Sequence, residues 1–196
     1  MQLPDPTLIL KNVSRHIQLN LNEQEYFLSL LQTRELPRKS YLLRQGEICR
    51  SENFVLKGCL RAYTTDEDGT EHIVMFGPQD WWISDLASFL SQRPATYTID
   101  ALEDTTLLQI SKTDLEKLYG KIPKFERFFR LLLQNAFVAQ QDRIQQNLSF
   151  TAELRYLDFI KKYPRLEQLV SQKQIASYLG ITPVFLSMIR RKLSRR

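Results

Sequence analysis

Five cations crowd the end of the chain, where Arg190, Arg191, Lys192, Arg195 and Arg196 fall within seven residues. Guanidinium groups at that density suit phosphate oxygens and guanine edges, by charge and by paired N–H donors. The basicity is segregated: residues 151–196 hold ten Lys or Arg against three Asp or Glu, a net of +7, while residues 1–150 hold 17 against 19, a net of −2. A positive segment on a slightly acidic body implies a polyanionic partner at this end. A solvated basic tail is the plainer alternative. The other reactive side chains form no comparable set. Cys49 and Cys59 stand ten apart with no further Cys or His nearby, which fits neither a zinc pattern nor a disulfide framework. His16 and His72 are too scattered for a metal cage, and a metal-dependent enzyme would need several ligands on neighbouring strands. The expectation is therefore no metal, no catalytic residues and no enzyme.

The cations sit on a recognisable pair of helices. Ser171-Gln172-Lys173-Gln174 has the form of a capping box, which starts a helix through Ile175, Ala176 and Leu179 and ends it at Gly180. Thr182-Pro183 then supplies an N-cap and an N1 proline for a second helix after a turn of a few residues. In that second helix Leu186, Ile189 and Leu193 recur on one face. The opposite face carries Val184, Ser187, Met188, Arg191 and Arg195, with Phe185 and Arg190 beside it. This is a helix-turn-helix, and double-stranded DNA is the expected partner. The expected DNA-binding residues are Ser171, Thr182, Val184, Phe185, Ser187, Met188, Arg190, Arg191 and Arg195.

Upstream, the chain divides in two. From Pro37 to about Ile110, short β-type segments alternate with turns: Tyr41 to Leu43, Asn53 to Leu56, Leu60 to Thr64, His72 to Phe76, Thr96 to Ala101 and Thr106 to Ile110. Asp68-Gly69 is the clearest hairpin turn. Such spacing reads as a roll or barrel, preceded by a helix over Asn22 to Leu31 capped by Asn22. Between Gly120 and Gly180 there is no glycine, and Pro123 opens a helix running to about Leu148, about 36 Å long. Its apolar residues include Phe125, Phe129, Leu132, Ala136 and Phe137 at three- and four-residue intervals. That stripe can pack on the roll, or against a second copy across a two-fold axis to make a homodimer; the pattern leaves both open. A further helix covers Thr151 to Tyr163.

With 196 residues, 43% of them apolar, the chain can bury a sizeable core. No run approaches a membrane span, and the start of the chain has no signal-peptide pattern, so a cytoplasmic, membrane-free protein is expected.

In order and spacing these motifs resemble the Crp/Fnr transcription regulators. The matching residues are Pro37, Leu42, Gln45-Gly46-Glu47, Val55, Gly58, Arg61, Asp66 to Gly69 and Pro78-Gln79-Asp80, then Gln174-Ile175-Ala176, Leu179-Gly180-Ile181-Thr182, Leu186 and Ile189. The resemblance implies an α+β fold, with an N-terminal double-stranded, jelly-roll-like β-roll with flanking helices, a long dimerisation helix and a C-terminal helix-turn-helix lacking a full wing. It places a cyclic-nucleotide-binding-like effector domain at 1–120, the connecting helix at 121–150 and the DNA-binding domain at 151–196. It also implies contact with RNA polymerase, and a homodimer using Phe125, Phe129, Leu132, Ala136 and Phe137.

The departures from the family pattern bear on function. Cyclic-AMP binders of the family carry Gly-Glu, a short helix and then Arg-Ser; the corresponding residues here are Ser84-Asp85 and Ala95-Thr96. Ala95 offers a cyclic phosphate neither charge nor a bidentate donor. Asp85 could accept from a ribose hydroxyl, and Arg61 or Arg93 could stand in for the missing guanidinium. The expectation is a degenerate pocket and no cofactor, with cyclic AMP disfavoured as a ligand. The cysteine cluster of iron-sulfur members is absent too. Where members commonly place Glu and Arg, the second helix has Val184 and Met188, and the chain stops three residues after Leu193. Weaker, more salt-sensitive DNA binding is expected. A sensory or protein-interaction module with a degenerate helix-turn-helix is the alternative function.

Overall fold

The computed structural model describes residues 4–194, so Arg195 and Arg196 lie outside the described residues. Contacts divide the chain into two compact units: one holds the residues up to Ala62 with Phe76–Gln134, the other Tyr63–Met75 with the residues from Asn135 onward. The division falls within the long helix, and it groups the tip of a roll hairpin with the C-terminal helices.

The first unit carries most of an antiparallel roll. Its elements are α1 (Thr7–Ser14), α2 (Leu21–Ser29), β1 (Gln32–Leu36), β2 (Tyr41–Leu43), β3 (Ser51–Lys57), the start of β4 (Cys59–Thr65), the end of β5 (Glu71–Pro78), β6 (Trp82–Ile83), α3 (Leu86–Ser91), β7 (Thr98–Ala101), β8 (Thr105–Ser111), α4 (Lys112–Lys121) and the start of α5 (Lys124–Ser149). The strands form two four-stranded sheets, ordered β1-β8-β3-β6 and β2-β7-β4-β5. β8 lies antiparallel between β1 and β3, with Arg34 opposite Leu107 and Phe54 opposite Leu108. The six expected strands are present to within a residue or two.

β3 alternates poorly because both its faces are covered. Glu52, Asn53, Phe54 and Val55 are all buried, and the Phe54 ring packs on Trp82, which meets Phe128 and Phe129 of α5 at 6.0 and 5.4 Å between ring centroids. Phe125 continues this cluster onto Phe27. Burying each such ring contributes roughly 2–3 kcal/mol. The cluster corrects two expectations about dimerisation, because Phe125 and Phe129 face the roll's own core and are buried there.

Other local readings shift as well. The α2 cap is Asn20, whose side chain accepts from the Glu23 N–H while the Glu23 carboxylate accepts from the Asn20 N–H; Asn22 lies inside the helix. Strands β1 and β6 and helices α1, α3 and α4 carried no clear periodic signal, being short or docked on the roll. Gly58, at the β3–β4 turn, has φ +94, and a Cβ there would sit 2.7 Å from the Asp104 carbonyl.

The second unit contains the rest of α5, α6 (Ala152–Lys162), α7 (Leu166–Leu169), α8 (Gln172–Leu179), α9 (Pro183–Leu193) and the hairpin tip. α6 buries Ala152, Tyr156 and Phe159 along one face, and Phe159 packs against Tyr163 and Tyr178 at 5.6 and 5.4 Å. The hairpin is tied in by α8: Ser177 Oγ donates to the Glu71 carbonyl and accepts from the Ile73 N–H. Arg143 of α5 donates to the carbonyls of Ile73, Val74 and Tyr178 and lies over the Tyr178 ring at 4.1 Å.

Candidate functional site

The helix-turn-helix is built by its caps. Ser171 Oγ accepts from the Gln174 N–H and the Gln174 side chain accepts from the Ser171 N–H, so both ends of the capping box are closed. Gly180 ends α8 at φ +65, which a side-chain-bearing residue resists. Thr182 Oγ1 then accepts from the Phe185 N–H, and Pro183 opens α9. The hydroxyls of Ser171 and Thr182, both expected at DNA, thus hold the helix ends.

α9 is strongly two-sided. Leu186 and Ile189 are buried, while Val184, Phe185, Ser187, Met188 and Arg191 are exposed. The basic residues divide: Arg190 lies 3.4 Å from Glu167 of α7, and Lys192 donates to Glu153 of α6 at 2.5 Å. Both are partly neutralised within the unit. Arg191 is exposed on the outward face, and Arg195 lies outside the described residues.

Of the effector-pocket residues, Asp85 and Thr96 bond to each other, while Arg61 pairs with Asp100. Asp85 is 1% exposed. One of its carboxylate oxygens accepts from the Ser88 N–H at 3.0 Å and caps α3. The other accepts from the N–H groups of Thr96 and Tyr97, at 2.8 and 3.2 Å, and from the Thr96 hydroxyl at 3.1 Å. Four donors meet the carboxylate that could have accepted from a ribose, and the Thr96 hydroxyl is turned inward onto it. The Arg61 guanidinium forms a bidentate pair with Asp100, Nε–Oδ1 2.7 Å and Nη2–Oδ2 2.8 Å, both side chains nearly buried. Arg93 is exposed, and Ala95 is buried with its backbone paired to Gly46 and Glu47. Asp85 and Arg61, which the sequence left open as contacts to a ribose and a phosphate, thus have protein partners.

Two buried acids beside this region left no trace in the sequence. Asp100 sits in β7, which read only as one of the roll's strands. Glu52 lies on β3, where burial raises its carboxyl from 4.5 to about 7, against a hydrogen bond with Ser84 that acts in the opposite direction. Between about pH 4.5 and 7 the folded protein keeps a proton that the unfolded chain releases, so this group's contribution is fully present below that window and lost as pH rises through it. Glu52→Gln is expected to stabilise the protein by about 2–3 kcal/mol at pH 8 and by under about 1 kcal/mol at pH 5. Urea unfolding at the two pH values checks this; a gain independent of pH would contradict it. The Cys49 thiol, also buried, is pushed up to about 11 and stays protonated near neutrality.

On α5, Leu132 is half-buried, while Ala136 and Phe137 are exposed and Phe137 is 64% accessible. With Leu133, Ile144 and Leu148 it forms an exposed apolar stripe spaced four, seven and four residues apart.

Among known proteins, the cyclic nucleotide-binding domain family matches residues 33–121. An anaerobic regulatory protein of Pasteurella multocida is 25% identical over 193 residues, covering 91% of this chain and 70% of that protein. Two solved structures share the fold. The c-di-GMP-responsive global regulator CLP of Xanthomonas campestris has a TM-score of 0.72 at 14% identity, over 90% of this chain and 92% of that one. FixK2 of Bradyrhizobium japonicum has a TM-score of 0.71 at 19% identity, over 84% and 85%.

Proposed function

We propose that the chain is a regulator of the Crp/Fnr type, as its similarity to regulators over most of its length suggests, and that it acts as a dimer reading double-stranded DNA with α9. One observation carries the reading: α9 is capped and seated by Leu186 and Ile189, while its whole opposite face, with Arg191 on it, is exposed. A helix presented in that way has the width and charge to enter the major groove. The relatives matched over most of the chain are named as regulators, and no enzymatic step belongs to this reading.

The dimer uses the outer stripe of α5, with Leu133, Phe137, Ile144 and Leu148 as the contact, since water-exposed apolar residues at that spacing are buried when two helices pair. Contact with RNA polymerase is part of this proposal only through the resemblance to such regulators. No helix among the described residues is long and apolar enough to cross a membrane, which is consistent with work on DNA in the cytoplasm. The roll operates without cyclic AMP, because Asp85 and Arg61 are already committed to protein partners.

Arg191→Ala tests the reading. Against duplexes selected from a random pool by the full chain, the variant is expected to lose about 1–3 kcal/mol of affinity, with a salt dependence shallower by about one charge per protomer. Undiminished binding in a gel-shift titration would remove α9 from the interface.

A further inference from the structure

We infer that α9 reads thymine methyl groups, with Val184 and Met188 as its specificity-determining side chains. This rests on the assignment of α9 to the major groove and names the chemistry by which it chooses a site. Val184 is 72% and Met188 61% exposed, one turn apart near the start of the helix, with Phe185 exposed beside them. At about 100° per residue Val184, Met188, Ser187 and Arg191 fall within about 100° of one another, opposite Leu186 and Ile189. The outward face therefore has apolar groups at its centre.

Base edges in the major groove are mostly hydrogen-bond donors and acceptors. The C5 methyl of thymine is the apolar exception, and side chains without polar atoms match only that feature. A helix carrying Val and Met at this place would gain little from guanine O6 or cytosine N4, whose hydrogen-bonding groups it would desolvate without pairing. Charge complementarity selects DNA over an apolar protein partner for the same patch. Arg191 shares the face and Lys173 is exposed on α8, while Glu153 and Glu167, the nearest acids, are already paired with Lys192 and Arg190. Arg191, one turn beyond Met188, is placed to contact a guanine or a phosphate at the end of a thymine-bearing half-site.

Burying one methyl against an apolar side chain changes affinity about fourfold. The test selects binding duplexes from a random pool with the full chain, then replaces each thymine of a selected site by deoxyuridine, which lacks only the methyl. One or two positions per half-site are expected to lose about fourfold each. Met188→Ala and Val184→Ala are expected to bind the thymine and uracil duplexes alike at the corresponding position. Both variants are expected to fold, their side chains being exposed, and circular dichroism checks this. Sequence-specific binding indifferent to every uracil substitution overturns this inference and leaves the DNA-binding reading standing. If no duplex is retained at low salt, or if the two variants change only the oligomeric state, both are overturned.

Discussion

Arg61→Met is expected to destabilise the protein by about 3–5 kcal/mol, the largest loss from any single exchange considered for this pocket. The guanidinium and the Asp100 carboxylate are paired through two hydrogen bonds at 2.7 and 2.8 Å, with side-chain exposures of only 11% and 10%. Desolvating two charges consumes most of their attraction, so the pair as a whole adds little stability over apolar residues of similar volume. Removing one member differs, because it strands a buried carboxylate. The double variant Arg61→Met/Asp100→Leu is expected to recover most of the loss, and urea unfolding of the four proteins gives the coupling directly. A cost below about 1 kcal/mol for Arg61→Met would show an arginine that is loosely held and free to meet an anionic ligand. That result would reopen the cyclic-nucleotide question.

Asp85→Ala is expected to cost about 3–4 kcal/mol, since four donors converge on this buried carboxylate and charged hydrogen bonds contribute more than neutral ones. Its oxygens join the start of α3 to the start of the segment entering β7, so the substitution frees both ends of the loop that in cyclic-AMP binders grips phosphate. Asp85→Asn should lose less, because its amide oxygen still accepts while its NH2 replaces an acceptor with a donor. Thermal unfolding with and without millimolar cyclic AMP separates two accounts of the residue. The structural account predicts a lower Tm for Asp85→Ala and no effect of the nucleotide on the unsubstituted protein. A nucleotide-dependent rise in Tm for the latter would overturn it, since any ligand that binds the folded state selectively raises Tm.

Much of the architecture was legible because its signals are local. The capping box at Ser171 and Gln174, the αL turn at Gly180 and the Thr182-Pro183 start each involve residues no more than three or four apart, and each appears as read. The strands between Pro37 and Ile110 were marked by their turns. Elements with weak local signals were missed: β6 has two residues, and α3 is six residues long. The Asn22 cap was misplaced by two residues because Asn20 and Asn22 offer the same chemistry, each with a Glu three residues on, and the structure closes the capping box at Asn20 and Glu23.

The candidate pocket was legible as an absence, since Ala95 cannot supply a guanidinium, but the fate of its neighbours was not. Asp85 meets Thr96 and Tyr97 from eleven and twelve residues away, Arg61 meets Asp100 across 39, and Arg143 reaches Ile73 and Val74 across about 70. Such pairings depend on strand register and on which helix face docks. The α5 stripe shows the same limit: its period revealed an amphipathic helix, while packing alone divided it into Phe125, Phe128 and Phe129, buried, and Phe137, Ile144 and Leu148, exposed.

Sequence by itself thus determined the helix-turn-helix and its outward residues as far as Arg191, because caps, turns and amphipathic periods are set by neighbours along the chain. Tertiary structure decided that Asp85 is held by Thr96 and Tyr97 and Arg61 by Asp100, that Arg190 and Lys192 are tied to Glu167 and Glu153 while Arg191 is not, and that burial pushes the Glu52 carboxyl up to about 7. Those outcomes rest on burial and on partners distant in sequence, which exist only once the two sheets and the helices have closed around them.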